Sequence, residues 1–185
     1  MAKGKLFVIS GASGVGKSTV LSRVMSQRDD LRFSVSATTR APRPGEVDGQ
    51  SYYFVTKEKF QQMIADDAFL EYDAHMDNYY GTPRAQLEEK LLSGSVILDI
   101  EPNGAFQVRS AMPDAVLIFI APPSMEELER RLRSRGDTSE EQIRLRLDRV
   151  KWEVQQSLKY DYSVINDQVE TCAAKILNII AEQAD

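Results

Sequence analysis

Short, continuous apolar runs mark the strands that this chain is predicted to form. The runs cover residues 5–10, 95–100, 115–120 and 162–165. Glycine, acidic residues or prolines close the first three, and such runs are typical of central strands in a parallel sheet that is covered on both faces. The longest apolar run, residues 115–121, is far too short to span a membrane.

Between the strands, apolar residues recur at steps of three and four, which predicts helices. One helix begins at Lys17, others cover residues 57–65 and 84–93, and further helices follow residue 124. Residues 33–84 differ, because prolines and glycines separate short aromatic-rich stretches, and they predict small strands and loops outside the main sheet. The alternation elsewhere predicts an α/β fold with a three-layer core and a parallel sheet.

Two capping-box patterns predict where the helices after residue 124 begin. Ser124-Met-Glu-Glu127 and Thr138-Ser-Glu-Glu141 each place an acidic residue three positions after a hydroxyl side chain. The helix that follows the second pattern carries an apolar stripe at helical spacing, which is expected to be buried. Its members are Ile143, Leu147, Val150, Val154 and Leu158.

Charge and cysteine content narrow the class of protein. The net charge of −5, from 23 basic and 28 acidic side chains, argues against general binding to nucleic acid or anionic membranes. Seven of the fourteen arginines lie between Arg130 and Arg149, and Arg40 and Arg43 lie in a proline-rich segment, so small anions are the expected ligands. A single cysteine, Cys172, excludes an intrachain disulfide and suits the cytoplasm.

A glycine-rich segment joins the first predicted strand to the first predicted helix. Its sequence, Gly11-Ala-Ser-Gly-Val-Gly16-Lys17-Ser18, matches G-x-x-x-x-G-K-[ST]. In such a P-loop the backbone N–H groups surround phosphate oxygens at the positive end of a helix. Lys17 is expected to reach the β and γ phosphates of a nucleoside triphosphate, and the Ser18 hydroxyl is expected to bind Mg²⁺. The predicted triphosphate ligands are Gly11, Ala12, Ser13, Gly14, Val15, Gly16, Lys17, Ser18 and Thr19.

The sequence lacks N-K-x-D, the tetrapeptide with which guanine-nucleotide switches read their base. This favours the other large class of P-loop proteins, which transfer a γ-phosphoryl group to a small acceptor. Arg40 and Arg43 precede Tyr52, and arginine forks with a tyrosine hydroxyl suit an acceptor's phosphate, although a solvated loop is the alternative. Asp99 and Glu101 end a predicted strand on the same side, where Asp99 is expected to hold Mg²⁺ through water unless both acids are merely solvated.

Beyond these motifs, the chain resembles the guanylate kinase family, whose members phosphorylate GMP to GDP with ATP. The resemblance implies a P-loop core, a small mixed α/β GMP-binding excursion and a helical lid. Together with the P-loop, the matching stretches follow the family's order through nearly the whole chain: residues 36–54, 69–71, 78–83, 97–104, 130–136, 160–162 and 166–167. The implied boundaries are 1–33, 85–123 and 158–185 for the core, 34–84 for the excursion and 124–157 for the lid.

The resemblance also implies the residues that bind each substrate. The implied ligands of the GMP phosphate are Arg40, Arg43, Tyr52 and Tyr80. The implied readers of the guanine base are Ser36, Glu71, Thr82 and Glu101. The implied catalytic residues are Lys17 and the lid arginines Arg131, Arg135 and Arg146. Asn166 lies where the family lines the adenine pocket of ATP, and Glu101 stands where the family usually has aspartate.

Three functions are compatible with these features: a GMP kinase, a related interaction module that has lost catalysis, and a kinase of the same fold for a sugar phosphate. The presence of Lys17, Ser18 and the lid arginines favours an enzyme. Glu71 with Ser36 and Thr82, a base-reading set, argues against a sugar phosphate. ATP with Mg²⁺ and GMP are the expected small-molecule partners, and no nucleic acid, membrane or obligate protein partner is expected.

Overall fold

A computed structural model of the chain describes residues 4–75, 77–134 and 139–184. The strands are Leu6–Gly11 (β1), Arg32–Phe33 (β2), Ala37–Thr38 (β3), Tyr53–Phe54 (β4), Phe69–His75 (β5), Asn78–Pro83 (β6), Val96–Asp99 (β7), Val116–Ala121 (β8) and Tyr162–Ile165 (β9). The α-helices are Lys17–Met25 (α1), Lys57–Ala65 (α2), Arg84–Ser93 (α3), Pro102–Ala111 (α4), Met125–Ser134 (α5), Glu140–Gln156 (α6) and Val169–Ala184 (α7).

The main sheet has five strands in the order β2-β7-β1-β8-β9. Strands β2 and β7 pair in parallel, as do β8 and β9, where Ile118 lies opposite Tyr162. In the central strand β1, Leu6, Phe7, Val8 and Ile9 are at most 2% exposed, which is why this strand is apolar on both faces. The predicted α/β fold with a parallel sheet is confirmed.

A second, mixed sheet of four strands, in the order β4-β3-β6-β5, lies within residues 34–84. Strand β3 pairs in parallel with β4 and antiparallel with β6, and β5 and β6 form an antiparallel pair. This sheet packs on helix α2 through Phe60, whose ring stacks on Phe69 at 4.4 Å and on Tyr79 at 5.4 Å between centroids. The small strands predicted outside the main sheet are therefore present.

The chain divides into two compact units. One consists of Met1–Phe7 and Asp30–Ala115, and it contains the mixed sheet with helices α2, α3 and α4. The other consists of Val8–Asp29 and Val116–Asp185, and it contains helices α1, α5, α6 and α7. No helix within the described residues is both long and apolar enough to cross a membrane.

Three sequence-based expectations about helices need correction. The sequence pattern did not predict α4, because its buried face consists of Pro102, Gly104, Ala105 and Val108, small residues that give little apolar periodicity. The N-cap of α6 is Ser139, whose hydroxyl accepts a hydrogen bond from the Gln142 N–H, so this helix begins one residue later than the capping-box pattern at Thr138 suggested. The helix start predicted at Ser124 is confirmed, since the Ser124 hydroxyl accepts from the Glu127 N–H at 3.1 Å.

The third correction concerns the apolar stripe of α6. Ile143 and Val150 are buried as predicted, but Leu158 is 90% exposed. Helix α6 ends at Gln156 and a 3₁₀ turn, Ser157–Lys159, follows, so the helical spacing no longer holds at Leu158. In the final helix α7, Ile176 and Ile180 are fully buried.

The exposure of Leu158 can be tested by replacing it and a buried aliphatic residue of the same unit. We expect Ile176→Ala to lower the free energy of unfolding by about 2–5 kcal/mol, because it leaves a cavity in the core. We expect the control, Leu158→Ala, to change it by no more than about 0.5 kcal/mol. Urea denaturation of both variants measures the difference, and an equal loss in the two would contradict the break in the stripe.

Candidate functional site

Strand β1 ends in the glycine-rich loop, which leads directly into helix α1. Gly14 and Gly16 have φ of 80° and 89°, left-handed values that glycine adopts without strain. Gly16 is the N-cap of α1 and has no side chain with which to cap the helix. Lys17, Ser18 and Thr19 form the first turn, so the predicted triphosphate ligands share one loop and one helix N-terminus, the arrangement that suits an anion.

A buried asparagine holds this loop from the end of strand β9. Asn166 is 3% exposed, and its side-chain amide donates a hydrogen bond to the Val15 carbonyl at 2.7 Å. A Cβ on Gly16 would come within 3.2 Å of the same amide nitrogen. The residue predicted for the adenine pocket thus contacts the backbone of the phosphate loop itself.

A buried carboxylate, absent from the sequence-based predictions, also contacts the loop. Glu153 of α6 is 1% exposed, and its Oε2 accepts a hydrogen bond from the Ser13 N–H at 2.8 Å. Its Oε1 accepts from Nε of Arg149, one turn earlier, at 2.9 Å. Along α6 Glu153 is one charged residue among many, so the sequence pattern offers no signal that would single it out.

In the other unit, a bidentate ion pair organises the segment that carries the predicted phosphate-binding arginines. The guanidinium of Arg40 donates to both carboxylate oxygens of Glu46, at 3.0 and 2.8 Å, and the Arg43 N–H also donates to Glu46, at 2.7 Å. Hydrogen bonding to Glu46 raises the pKa of Arg40. The sequence analysis missed Glu46, because pairing across this loop depends on a turn that residue spacing alone does not specify.

Aromatic rings lie beside Arg40. Its guanidinium carbon is 5.4 Å from the centroid of the Tyr52 ring and 5.9 Å from that of Phe54, within the range of cation–π contact. The rings of Tyr52 and Tyr80 meet edge to face at 6.1 Å. Burial raises the pKa of the Tyr52 hydroxyl further above its ordinary value, and the protonated hydroxyl can donate a hydrogen bond. Three of the four predicted phosphate ligands, Arg40, Tyr52 and Tyr80, are therefore neighbours. The fourth, Arg43, is exposed, and its backbone N–H donates to Glu46.

The predicted base-reading residues Glu71 and Thr82 face each other across the β5–β6 pair. Glu71 is 4% exposed and Thr82 is fully buried, and the Thr82 hydroxyl donates to Oε1 of Glu71 at 2.5 Å. Burial raises the pKa of the Glu71 carboxyl to about 7, although the Thr82 hydrogen bond opposes this shift. The pair forms a buried acceptor site whose charge changes near neutral pH.

Helix α4 packs closely against the strand that carries Glu71. The Gln107 side chain donates to the Tyr72 carbonyl at 2.9 Å and accepts from the Tyr72 N–H at 3.2 Å, and Asn103 donates to Asp73 at 3.1 Å. Gly104 lies at the contact itself, since a Cβ there would collide with the carboxylate of Glu71. A glycine in the first turn of α4 therefore lets the helix approach the carboxylate.

The remaining predicted site residues are more exposed or lie elsewhere. Ser36 is half-buried and its carbonyl accepts from the Tyr53 N–H, and Glu101 is an exposed N-cap of α4. Asp99 is the last residue of β7, and Arg146 is exposed on α6. Arg135 and the side chain of Arg131 lie outside the described residues.

Comparison with known proteins identifies the family. The model of the family described as guanylate kinase matches residues 3–183. The guanylate kinase of Thermus thermophilus is 49% identical over 182 residues, covering 98% of this chain and 82% of the relative. That of Trichormus variabilis is 48% identical over 176 residues, covering 95% and 88%.

A solved structure agrees with these relatives. The crystal structure of guanylate kinase from Anaplasma phagocytophilum is 34% identical, with a TM-score of 0.80, covering 100% of this chain and 89% of that one. The same family is thus found from the sequence and from the fold, over almost the whole chain in both cases. This chain belongs to the guanylate kinase family.

Proposed function

We propose that the chain transfers the γ-phosphoryl group of ATP to GMP, and also to dGMP, through an ATP site at the glycine-rich loop and a guanine-reading site at Glu71. Phosphorylation of GMP by ATP follows from membership of the guanylate kinase family. The observation that supports the assignment of residues is the buried Glu71–Thr82 pair, with its raised carboxyl pKa, in the unit that also contains Arg40, Tyr52 and Tyr80.

The chemistry of guanine fits this pair. The base presents two donors on one edge, N1–H and the 2-amino group, and an ionised carboxylate can accept both. Adenine presents an acceptor at N1 and has no 2-amino group, so its N1 lone pair would face the carboxylate. Ser36 would donate to the guanine O6, and Glu101 would lie at the same edge. Thr82 would donate to O6 by turning its one hydroxyl hydrogen away from Oε1 of Glu71, which accepts it in this structure.

The phosphate of GMP would bind at Arg40, Arg43, Tyr52 and Tyr80. Glu46 already holds Arg40 in a fixed position against Tyr52, so the guanidinium loses little further freedom when the phosphate arrives. The Tyr52 hydroxyl is protonated at neutral pH, as tyrosine ordinarily is, and is suited to donate to a phosphate oxygen.

At the other site, the glycine-rich loop and Lys17 would bind the phosphates of ATP, and Arg131, Arg135 and Arg146 would neutralise the phosphoryl group as it transfers. Asn166 would support the loop through Val15 and line the adenine side. The Ser18 hydroxyl and the Asp99 carboxylate are hard oxygen donors of the kind that suits Mg²⁺, Asp99 acting through water. When bound, Mg²⁺ supplies positive charge to the phosphate oxygens.

The ATP site can be tested at Lys17. We expect Lys17→Ala to lower kcat at least ~10²-fold, because a preorganised positive charge at the transferring group is lost. Lys57 is a matched control, since it also begins a helix but lies at the start of α2, and Lys57→Ala is expected to retain full turnover. A coupled assay of ADP formation, with circular dichroism to confirm folding, measures both, and near-normal turnover in folded Lys17→Ala would disprove the role.

Base choice can be tested at Glu71. We expect GMP and dGMP to be substrates, IMP to be markedly worse because it lacks the 2-amino group, and AMP to be refused. Glu71→Gln is expected to lower kcat/KM for GMP by ~10²–10³, because the amide accepts only one of the two hydrogen bonds and carries no charge. Glu58→Gln, at an exposed position of α2, is the control. If Glu71→Gln kept the preference for GMP over AMP, another group such as Glu101 would read the base.

The pH dependence of GMP binding tests the ionisation of Glu71. The carboxyl is protonated below its pKa of about 7 and ionised above it, and only the ionised form accepts both guanine donors. GMP affinity should therefore rise with pH, and the ionised fraction of a group with this pKa grows about tenfold between pH 6 and pH 8.

Calorimetric titration of GMP across this range measures the effect. Glu71→Gln is the control, because glutamine does not titrate. Any pH dependence that remains in this variant comes from the GMP phosphate, whose second pKa is about 6. Identical pH profiles for the two proteins would show that Glu71 does not titrate on binding.

A further inference from the structure

The buried carboxylate of Glu153 has no place in the reaction as described so far. It lies in helix α6, three residues before the helix ends at Gln156, and it is 1% exposed. A carboxylate removed from water needs strong partners, and two of them are the Ser13 N–H at 2.8 Å and the Arg149 guanidinium at 2.9 Å. The first of these belongs to the phosphate loop.

Stability does not explain why this position holds a charged residue. Apolar replacement of a buried, paired charge is often neutral or stabilising, and here only Glu153 is buried, since the Arg149 side chain is 39% exposed. Val150, one turn earlier on α6, is fully buried and shows that this part of the helix can be packed with apolar residues. What an apolar side chain at this position would not provide is a directional hydrogen bond to the backbone of the phosphate loop.

The helix that Glu153 fixes also carries Arg146. The two residues are seven positions apart, which is two helical turns, so they lie on the same face of α6 and about 10 Å apart along its axis. Arg146 is exposed, whereas Glu153 is held against Ser13. The Glu153–Ser13 contact thus sets where the C-terminal half of α6 lies relative to the loop, and the helix carries this constraint to Arg146.

We propose that Glu153 is a positioning residue for phosphoryl transfer, which fixes α6 to the phosphate loop so that Arg146 meets the γ-phosphoryl group. This inference rests on the proposed function, in which Arg146 acts on the transferring group. It adds a residue that touches neither substrate but links helix α6, which carries Arg146, to the ATP site. Because Glu71, Arg40 and Tyr52 belong to the other unit, we expect the loss of the Glu153 side chain to leave GMP recognition unchanged.

Kinetics of single variants give the first test. Glu153→Ala is expected to lower kcat about 10–100-fold with the KM for GMP unchanged, the loss that a small misplacement of a catalytic group produces. Glu153→Gln retains an oxygen that can accept from the Ser13 N–H, and is expected to restore kcat to within about threefold of the parent chain. Asp148→Ala, at an exposed position of the same helix, is the control. A kcat for Glu153→Ala within about twofold of the parent, or no restoration by glutamine, would overturn the inference.

A double-mutant cycle with Arg146→Ala separates positioning from general damage. If Glu153 acts through Arg146, Glu153→Ala should lower kcat little further once Arg146 is already alanine, whereas independent effects would multiply. Multiplied losses would therefore also overturn the inference. If Glu153→Ala does not fold, Glu153→Asp, which keeps the charge but is one methylene shorter, replaces it in the cycle with the same expected loss. Absence of GMP kinase activity in the parent chain would instead refute the proposed function.

Discussion

Burying a carboxylate costs free energy, and both units of this chain are arranged to offset that cost. Each unit contains a glutamate with almost no exposed surface, Glu71 in one and Glu153 in the other. A buried charge is tolerated only where donors surround it, so the neighbouring elements are arranged to supply them. Glu71 receives the Thr82 hydroxyl, and Glu153 receives the Ser13 N–H together with Arg149.

The two carboxylates differ in how completely the protein satisfies them. Glu71 has a carboxyl pKa raised to about 7, which means that burial outweighs the hydrogen bond from Thr82. A partly satisfied acceptor is suited to a ligand that brings its own donors, as guanine does. Glu153 is bonded through both of its oxygens to groups of the protein, which suits a structural link within the ATP-binding unit.

Glycine residues shape the backbone at both predicted substrate sites. At the ATP loop, Gly14 and Gly16 take left-handed conformations that turn the chain into the start of α1. At the guanine site, Gly104 lets helix α4 lie against the Glu71 carboxylate, and Gln107 fixes that helix to the backbone of Tyr72. Both sites therefore include a helix N-terminus that depends on glycine, for a left-handed turn at α1 and for close approach to Glu71 at α4.

The sequence by itself determined four of the five strands of the main sheet, the phosphate loop and the family, because these depend on local apolar runs and on residues close together in the chain. The two-residue edge strand β2, whose residues are exposed, carries no such run. The sequence did not predict helix α4, whose small buried residues have little periodicity, or the exposure of Leu158 after α6 ends. It also missed Glu46 and Glu153. Charged residues are frequent in this chain, and only the tertiary structure decided which ones are paired and buried, because those contacts join segments that no sequence spacing relates.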